Sequence, residues 1–335
     1  MNPENARRNA EARKEDNRLV SVVVPVFNSE EILPLLIERL EKVLPGLCAD
    51  YEIVLVNDGS KDRSWEVMKE LASAHPSIVA LDLTRNFGQH NALLCGIRHA
   101  RHPVIVTMDD DLQNPPEEIG KLLSALGPDL DVVYGVPARQ EHGAGRVLAS
   151  ILVKWALKAS MRVDIAPYVQ PFRAFRTELR QAFADHSAPD ISIDVLLTWG
   201  TDRFGRVFVE HNPRRYGKSN YSLRKLFDHA FNMITGYSVI PLRAASLLGF
   251  SLTLLGAAFL VVTIVNHFLF GGAPRGFTFL ASAISIFSGA QLFFLGVIGE
   301  YLGRIHNRTM NRPAYVVRCH DGEEQTQGTN HDDDR

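Results

Sequence analysis

The chain has 335 residues, long enough for roughly two domains, and carries 36 basic against 38 acidic residues. So even a balance argues against a nucleic-acid-binding protein. Cys48, Cys95 and Cys319 lie far apart with no CxxC pair, which argues for reduced thiols and against a disulfide framework or a zinc site.

Residues 1–18 are highly charged, without the apolar stretch of a secretory signal, and are expected to be a disordered arm. Leu19–Phe27 (LVSVVVPVF) then predicts a β-branched strand stopped by Asn28, and Ser29-Glu30-Glu31 opens a helix to about Leu44. Tyr51–Val56 is a second strand, ending in Asn57-Asp58-Gly59-Ser60; Asp62 or Ser64 can cap the helix Trp65–Ala74. Ile78–Leu83 is a third strand, followed by the polar loop Thr84–His90 and a helix over His90–Ala100. Val104–Met108 is a fourth strand, apolar without alternation and so buried on both faces, and it runs into Asp109-Asp110-Asp111-Leu112-Gln113. Strands alternating with helices at this spacing predict an α/β fold with a mostly parallel sheet and helices on both faces.

Each predicted strand ends in polar residues: Asn28, Asp58, Arg85-Asn86 and Asp109–Asp111. They converge on the sheet edge where doubly wound folds bind nucleotides. Three adjacent acids repel one another, and a hard divalent ion shared with substrate phosphates would relieve that; a solvated turn before a helix N-terminus is the alternative. Asp58 can accept hydrogen bonds from a base or can simply make an Asp-Gly turn. No GxGxxG follows the first strand and no GxxxxGK[ST] occurs, which disfavours a dinucleotide oxidoreductase and a P-loop enzyme.

Beyond the acidic turn, Asp131–Gly135 predicts another strand, with Arg139 shortly after it. Gly145–Arg162 has apolar residues at helical spacing and four basic residues opposite, which suits an interfacial helix or an amphipathic core helix. Ile191–Trp199, carrying Asp194, fits a strand or a helix, and Leu223–Tyr237 an interfacial helix. Ala244–Val265 and Phe277–Ile298 contain no ionisable residue, and each can cross ~30 Å of hydrocarbon. With the turn Gly271–Gly276 they predict a transmembrane hairpin. Basic residues crowd its outer flanks, which predicts that the preceding domain and both termini lie in the cytoplasm. The expected organisation is an arm to residue 18, a cytoplasmic domain over 19–222, an interfacial helix over 223–240 and a hairpin over 241–304. The spans fall at about 244–266 and 277–299, and the tail 305–335 is expected to be disordered after Cys319.

The stretches VVVPVFNSEE, VLVNDGSKDRS, LTRNFGQHNALLCGI and MDDDLQNPPE, in this order, resemble the inverting family-2 glycosyltransferases with the GT-A fold. The continuation resembles their polyprenyl-phosphate branch, which includes dolichyl-phosphate mannose synthase and bacterial undecaprenyl-phosphate sugar transferases. The resemblance covers about Leu19 to Arg312. It implies inverting transfer of one sugar from a nucleotide-sugar donor, a UDP-sugar, to a polyprenyl phosphate such as undecaprenyl phosphate. The setting it implies is the cytoplasmic face of the bacterial inner membrane, with a homotetramer as the assembly. It also implies Mg2+ or Mn2+ on Asp109 and Asp111, with Gln113 completing a D-x-D-L-Q form and Asp111 counted as catalytic. Donor contacts fall on Pro25, Phe27 and Asp58, with Asn28 and Asp110 beside them.

For the acceptor, Arg214, Gly217, Ser219 and Tyr221 match the branch's R-x-x-G-x-S-x-Y segment. Its guanidinium, the Lys218 ammonium and the Ser219 hydroxyl suit phosphate oxygens, although basic groups beside a membrane also attract headgroups generally. Arg139 and Arg173 complete the expected phosphate seat. Two positions depart from the family pattern. Pro137 stands where relatives usually carry an arginine, and Pro171 where several carry an aspartate taken as the base. A phosphate monoester, with a second pKa of ~6, is largely ionised near neutral pH and needs placement more than deprotonation. Asp194 is the candidate if a carboxylate does assist. A processive polysaccharide synthase shares the early motifs, but this sequence lacks the Q-x-x-R-W segment and the further spans of such enzymes; a non-catalytic, membrane-tethered sugar-nucleotide binder is the other alternative.

Overall fold

The structure, a computed structural model, describes residues 18–138, 168–186, 191–212, 240–270, 276–310 and 312–320. Two compact units emerge: one holds the described residues up to 212 together with 312–320, and the other the two long helices between 240 and 310.

The first unit is built on strands β1 (Leu19–Val26), β2 (Asp50–Asn57), β3 (Ile78–Leu83) and β4 (Val104–Thr107). They are mutually parallel, in the order β4-β1-β2-β3. Helices α1 (Leu33–Val43), α2 (Ser64–Ala74) and α3 (Gln89–His99) make the crossovers between them. Val20–Val26 is buried at every position because helices cover both faces of the sheet. Leu36, Leu40 and Met68 of α1 and α2 pack on one face with Val22 and Val24, while Leu94 and Ile97 of α3 pack on the other with Val23 and Val54. Five further elements follow: α4 (Ile119–Ala125), β5 (Val132–Pro137), β6 (Arg173–Arg176), α5 (Ile193–Gly200) and β7 (Phe204–Val209).

The α/β expectation with a mostly parallel sheet holds, and the structure adds two antiparallel strands. β6 lies between β4 and β5 and opposes both, and β8 (Val317–His320) pairs antiparallel with β3 at the far edge. The tail is therefore ordered as far as this strand, and Cys319 and His320 belong to the sheet. Helix α1 starts at Leu33, not at Ser29, with Pro34 in its first turn, where a missing N–H costs nothing. The Ser29–Glu31 stretch serves the loops instead: Glu30 Oε2 accepts the Arg63 N–H at 2.7 Å. Neither Asp62 nor Ser64 is the cap of α2: Arg63 precedes the first turn and no side chain caps it, while Asp62 accepts the Ser64 backbone N–H at 3.1 Å from one residue further out.

The second unit contains α6 (Ile240–Phe270) and α7 (Phe277–Thr309). At 1.5 Å per residue each is about 46–50 Å long, more than the ~30 Å needed to cross hydrocarbon. Windows long and apolar enough to cross a membrane lie at Leu242–Val265 and Ile286–Thr309, and neither is buried within the protein. The second lies later than the span read at 277–299. Leu247, Phe268 and Leu269 are each more than two-thirds exposed, a surface that water does not tolerate over two whole helices. The expected interfacial helices, over 145–162 and up to residue 239, lie outside the described residues.

Candidate active site

Four strand ends build one cavity. β1 to β4 finish at the same edge, and the loops after them line a space of about 350 Å³. Pro25, Val26 and Phe27 come from the end of β1 and the residue after it, Asp58 follows β2, Asn86 and Gly88 belong to the third loop, Gln89 opens α3, and Asp109–Asp111 follow β4. Phe27 leaves its ring nearly half exposed at this mouth.

The three aspartates have separate partners. Asp109 Oδ1 accepts from Gln89 Nε2 at 2.6 Å, and Asp111 Oδ1 accepts the Gln113 backbone N–H at 3.1 Å. Asp110 turns toward β1, where its Oδ2 accepts the Ser29 hydroxyl at 2.5 Å and the Phe27 N–H at 3.3 Å. Burial pushes the Asp110 carboxyl up to about 6, with the Asp111 charge adding to the rise. Asp110 thus ties the acidic turn to the first loop, leaving Asp109 and Asp111 as the outer pair. The turn closes at Leu112, whose φ of 56° is left-handed. That conformation costs on the order of 1–2 kcal/mol for a residue with a Cβ. Burial of the Leu112 side chain, only 5% exposed, stabilises by roughly 1.5–3 kcal/mol and outweighs it.

Asp58 clamps the third loop. Its Oδ1 accepts the Phe87 N–H at 2.6 Å and its Oδ2 the Gly88 N–H at 2.9 Å. Its carboxyl is raised by burial, against the lowering effect of these two donors. Gly59 packs beneath the same loop at φ 64°, and a Cβ there would stand 2.5 Å from Arg85 C and Asn86 N. Because the obstacle is backbone, Gly59→Ala should lower stability by roughly 2–4 kcal/mol, from overpacking plus left-handed strain. A thermal melt together with nucleotide affinity would read that effect.

Asn28 and Gln113, read as donor-binding, brace the loops. Asn28, itself at φ 54°, accepts the Lys61 N–H at 2.8 Å, and the Gln113 carbonyl accepts the Asn212 N–H at 2.8 Å. Sequence reasoning missed Gln89, although the loop's place after the third strand put it at the right edge. His90, next to it, accepts the Ile193 N–H at 3.4 Å, so the start of α3 touches both the acidic turn and the start of α5.

Asp194 and Arg173 do not line the cavity; they meet in the core. Arg173 is 1% exposed and Asp194 6%, and they form a buried ion pair through Nη1 and Oδ1. Tyr134 donates its hydroxyl to the same Oδ1 at 3.0 Å, and burial and the Asp194 charge hold that hydroxyl well above the ordinary tyrosine value. The carboxylate of Asp194, read as the candidate base, is enclosed and already takes two donors. Pro171, in the place of the family's aspartate, accepts the Thr107 hydroxyl at 2.7 Å through its carbonyl. Arg139, Arg214, Lys218 and Ser219 lie outside the described residues.

Among the described residues no three His, Cys, Asp or Glu residues converge as a closed metal cage. An octahedral Mg2+ or Mn2+ site does not require one, since one or two carboxylates with substrate phosphates and water suffice. Asp109 and Asp111, two hard oxygen donors lining one cavity, fit that requirement.

Comparison with known proteins agrees with this geometry. Residues 21–182 match the family described as Glycosyl transferase family 2. The chain is 36% identical over 319 residues to an undecaprenyl-phosphate 4-deoxy-4-formamido-L-arabinose transferase of Yersinia enterocolitica, covering 94% of this chain and 98% of that enzyme. A Yersinia pestis enzyme of the same description is also 36% identical, over 92% and 95%. Among solved structures, the glucosyl-3-phosphoglycerate synthase of Mycobacterium tuberculosis, in complex with Mn2+, UDP and glucosyl-3-phosphoglycerate, superposes with a TM-score of 0.51. At 21% identity over 68% of this chain and 81% of that one, it supports the fold alone. With a GT-A-like sheet, a cavity at its carboxyl edge and near full-length similarity to sugar transferases, the chain belongs to glycosyl transferase family 2.

Proposed function

We propose that this protein transfers a single sugar from a nucleoside-diphosphate sugar, a UDP-sugar, to undecaprenyl phosphate at the cytoplasmic face of a bacterial inner membrane, inverting the anomeric centre. The observation that carries the reading is the similarity to undecaprenyl-phosphate sugar transferases over 94% of the chain, which takes in both the cavity and the two apolar helices. The catalytic domain and both termini face the cytoplasm in this reading, from the basic flanks of the hairpin. A homotetramer is the assembly it favours.

Phe27 offers an exposed aromatic face to the base, beside Pro25 and Asp58. Asp109 and Asp111 would hold Mg2+ or Mn2+, which when bound supplies positive charge opposite the departing diphosphate. Gln89 fixes the Asp109 carboxylate, and Asp110 fixes the turn against β1. Arg214, Lys218 and Ser219, with Arg139, would seat the acceptor phosphate. Arg173, in the buried pair, would act as support for that region and not as a direct contact. The acceptor oxygen is already anionic, so no protein base is needed and catalysis rests on placement and charge. The test is purified full-length protein in detergent, given labelled UDP-sugars and undecaprenyl phosphate with and without chelator. Label should enter the lipid with Mn2+ or Mg2+ and stop entering when EDTA is in excess. Undiminished transfer in excess EDTA would remove the metal from the account.

A further inference from the structure

After α7 the backbone returns to the sheet of the first unit, and there it touches the loop that lines the donor cavity. Ala314 is buried in the core cluster on the α3 side, with Tyr315 and Val317 packed against it. Arg98 stacks over the Tyr315 ring at 5.7 Å and is itself fixed by the carbonyls of Ala184 and His186, each at 2.7 Å. The segment is thereby anchored before β8 begins.

β8 then completes the edge of β3, with Leu83 opposite Val317 and Asp82 opposite Cys319, and the register shifts between Asp82 and Leu83. At that shift two bonds reach Thr84, the first residue of the third loop. Its N–H donates to the Val316 carbonyl at 3.0 Å, and its carbonyl accepts from Arg318 Nη2 at 3.0 Å. Arg318 Nη1 lies 3.6 Å from Asp82 Oδ2, and the other oxygen of Asp82 accepts from Asn57 Nδ2 at 2.7 Å. Asn57 in turn accepts the Ser60 N–H at 3.1 Å. One guanidinium therefore links the ends of β2 and β3 and fixes the point where the third loop departs. Asp58 holds the other end of that loop through Phe87 and Gly88, and Gly59 packs beneath it at Arg85 and Asn86. Asn86 lies between the Thr84 bonds and the Asp58 clamp, and it lines the cavity together with Gly88.

We propose that Arg318 is a positioning residue of the donor pocket, holding the Thr84–Gly88 loop in shape for a nucleoside diphosphate. The inference rests on the functional reading above only for the identity of the ligand. The segment that follows the membrane hairpin thus finishes the pocket that the first four strands begin.

The test is calorimetric titration of UDP with Mn2+ into the full-length protein in detergent. Loss of a charge-assisted hydrogen bond that preorganises the loop should weaken binding about fivefold in Arg318→Ala. Arg318→Lys, which keeps the charge opposite Asp82, should recover part of it. The KM for undecaprenyl phosphate should not move, and the Phe87 and Gly88 amides should exchange faster with deuterium. If Arg318→Ala does not purify folded, Arg318→Gln carries the same measurement. UDP affinity unchanged in a folded variant overturns the inference alone, as does a parallel rise in the acceptor KM. A wild-type protein that binds no UDP overturns the functional reading, and the inference with it.

Discussion

Replacing Asp111 with alanine should reduce sugar transfer by about a thousandfold or more, while the protein stays folded. Preorganised charge opposite a developing anion is worth on the order of 10²–10³ in rate for one donor, and a lost metal ligand removes more than one such contact. The fold should survive because Asp111 lies at a cavity edge and its removal relieves repulsion from Asp110. The turn contact to the Gln113 N–H is lost with it. Asp109→Ala should behave alike. Asp110→Asn should retain more activity, since an amide oxygen can still accept the Ser29 hydroxyl. The measurement is initial rate against a thermal melt for each variant. A folded Asp111→Ala protein with wild-type turnover would show that the acidic turn has no catalytic part.

The second large effect concerns stability. Asp194→Ala strands the Arg173 guanidinium in the core, where its Nε and Nη2 already have no hydrogen-bond partner among the described residues. Removing one partner of a buried pair typically costs about 3–5 kcal/mol, because the remaining charge is left uncompensated. Tyr134 also loses its acceptor. Asp194→Asn keeps the shape and an acceptor for Tyr134, so it should cost less. If Asp194 were the base, Asp194→Asn would melt like the wild type and lose the limb of the pH–rate profile that reports its ionisation. A buried structural pair predicts the reverse: a lowered melting point and an unchanged profile shape.

Much of the fold is legible in the sequence, for reasons visible in particular residues. The first four strands are β-branched runs that end abruptly in polar residues, and Val20–Val26 has no alternation because both faces are covered. Their parallel order carries Pro25, Phe27, Asp58 and Asp109–Asp111 to one edge before any tertiary contact is known. β6 and β8 are not legible as strands. RAFR and VRCH carry little apolar signal, and each exists because a neighbouring strand offers an open edge. Gln89 escapes sequence reasoning because its partner Asp109 is 20 residues away and the bond depends on how α3 docks. The Arg173–Asp194 pair escapes it for another reason. Charged residues belong at the surface by composition, and only the crossing of β6 and α5 encloses these two together.

The wild-type protein itself gives the most direct test of the central claim. The full-length protein, incubated with Mn2+, undecaprenyl phosphate and a panel of UDP-sugars, should yield a lipid whose mass rises by one glycosyl residue and no further. A ladder of added sugars would make it a polymerising enzyme, and UDP release with the lipid mass unchanged would contradict the acceptor.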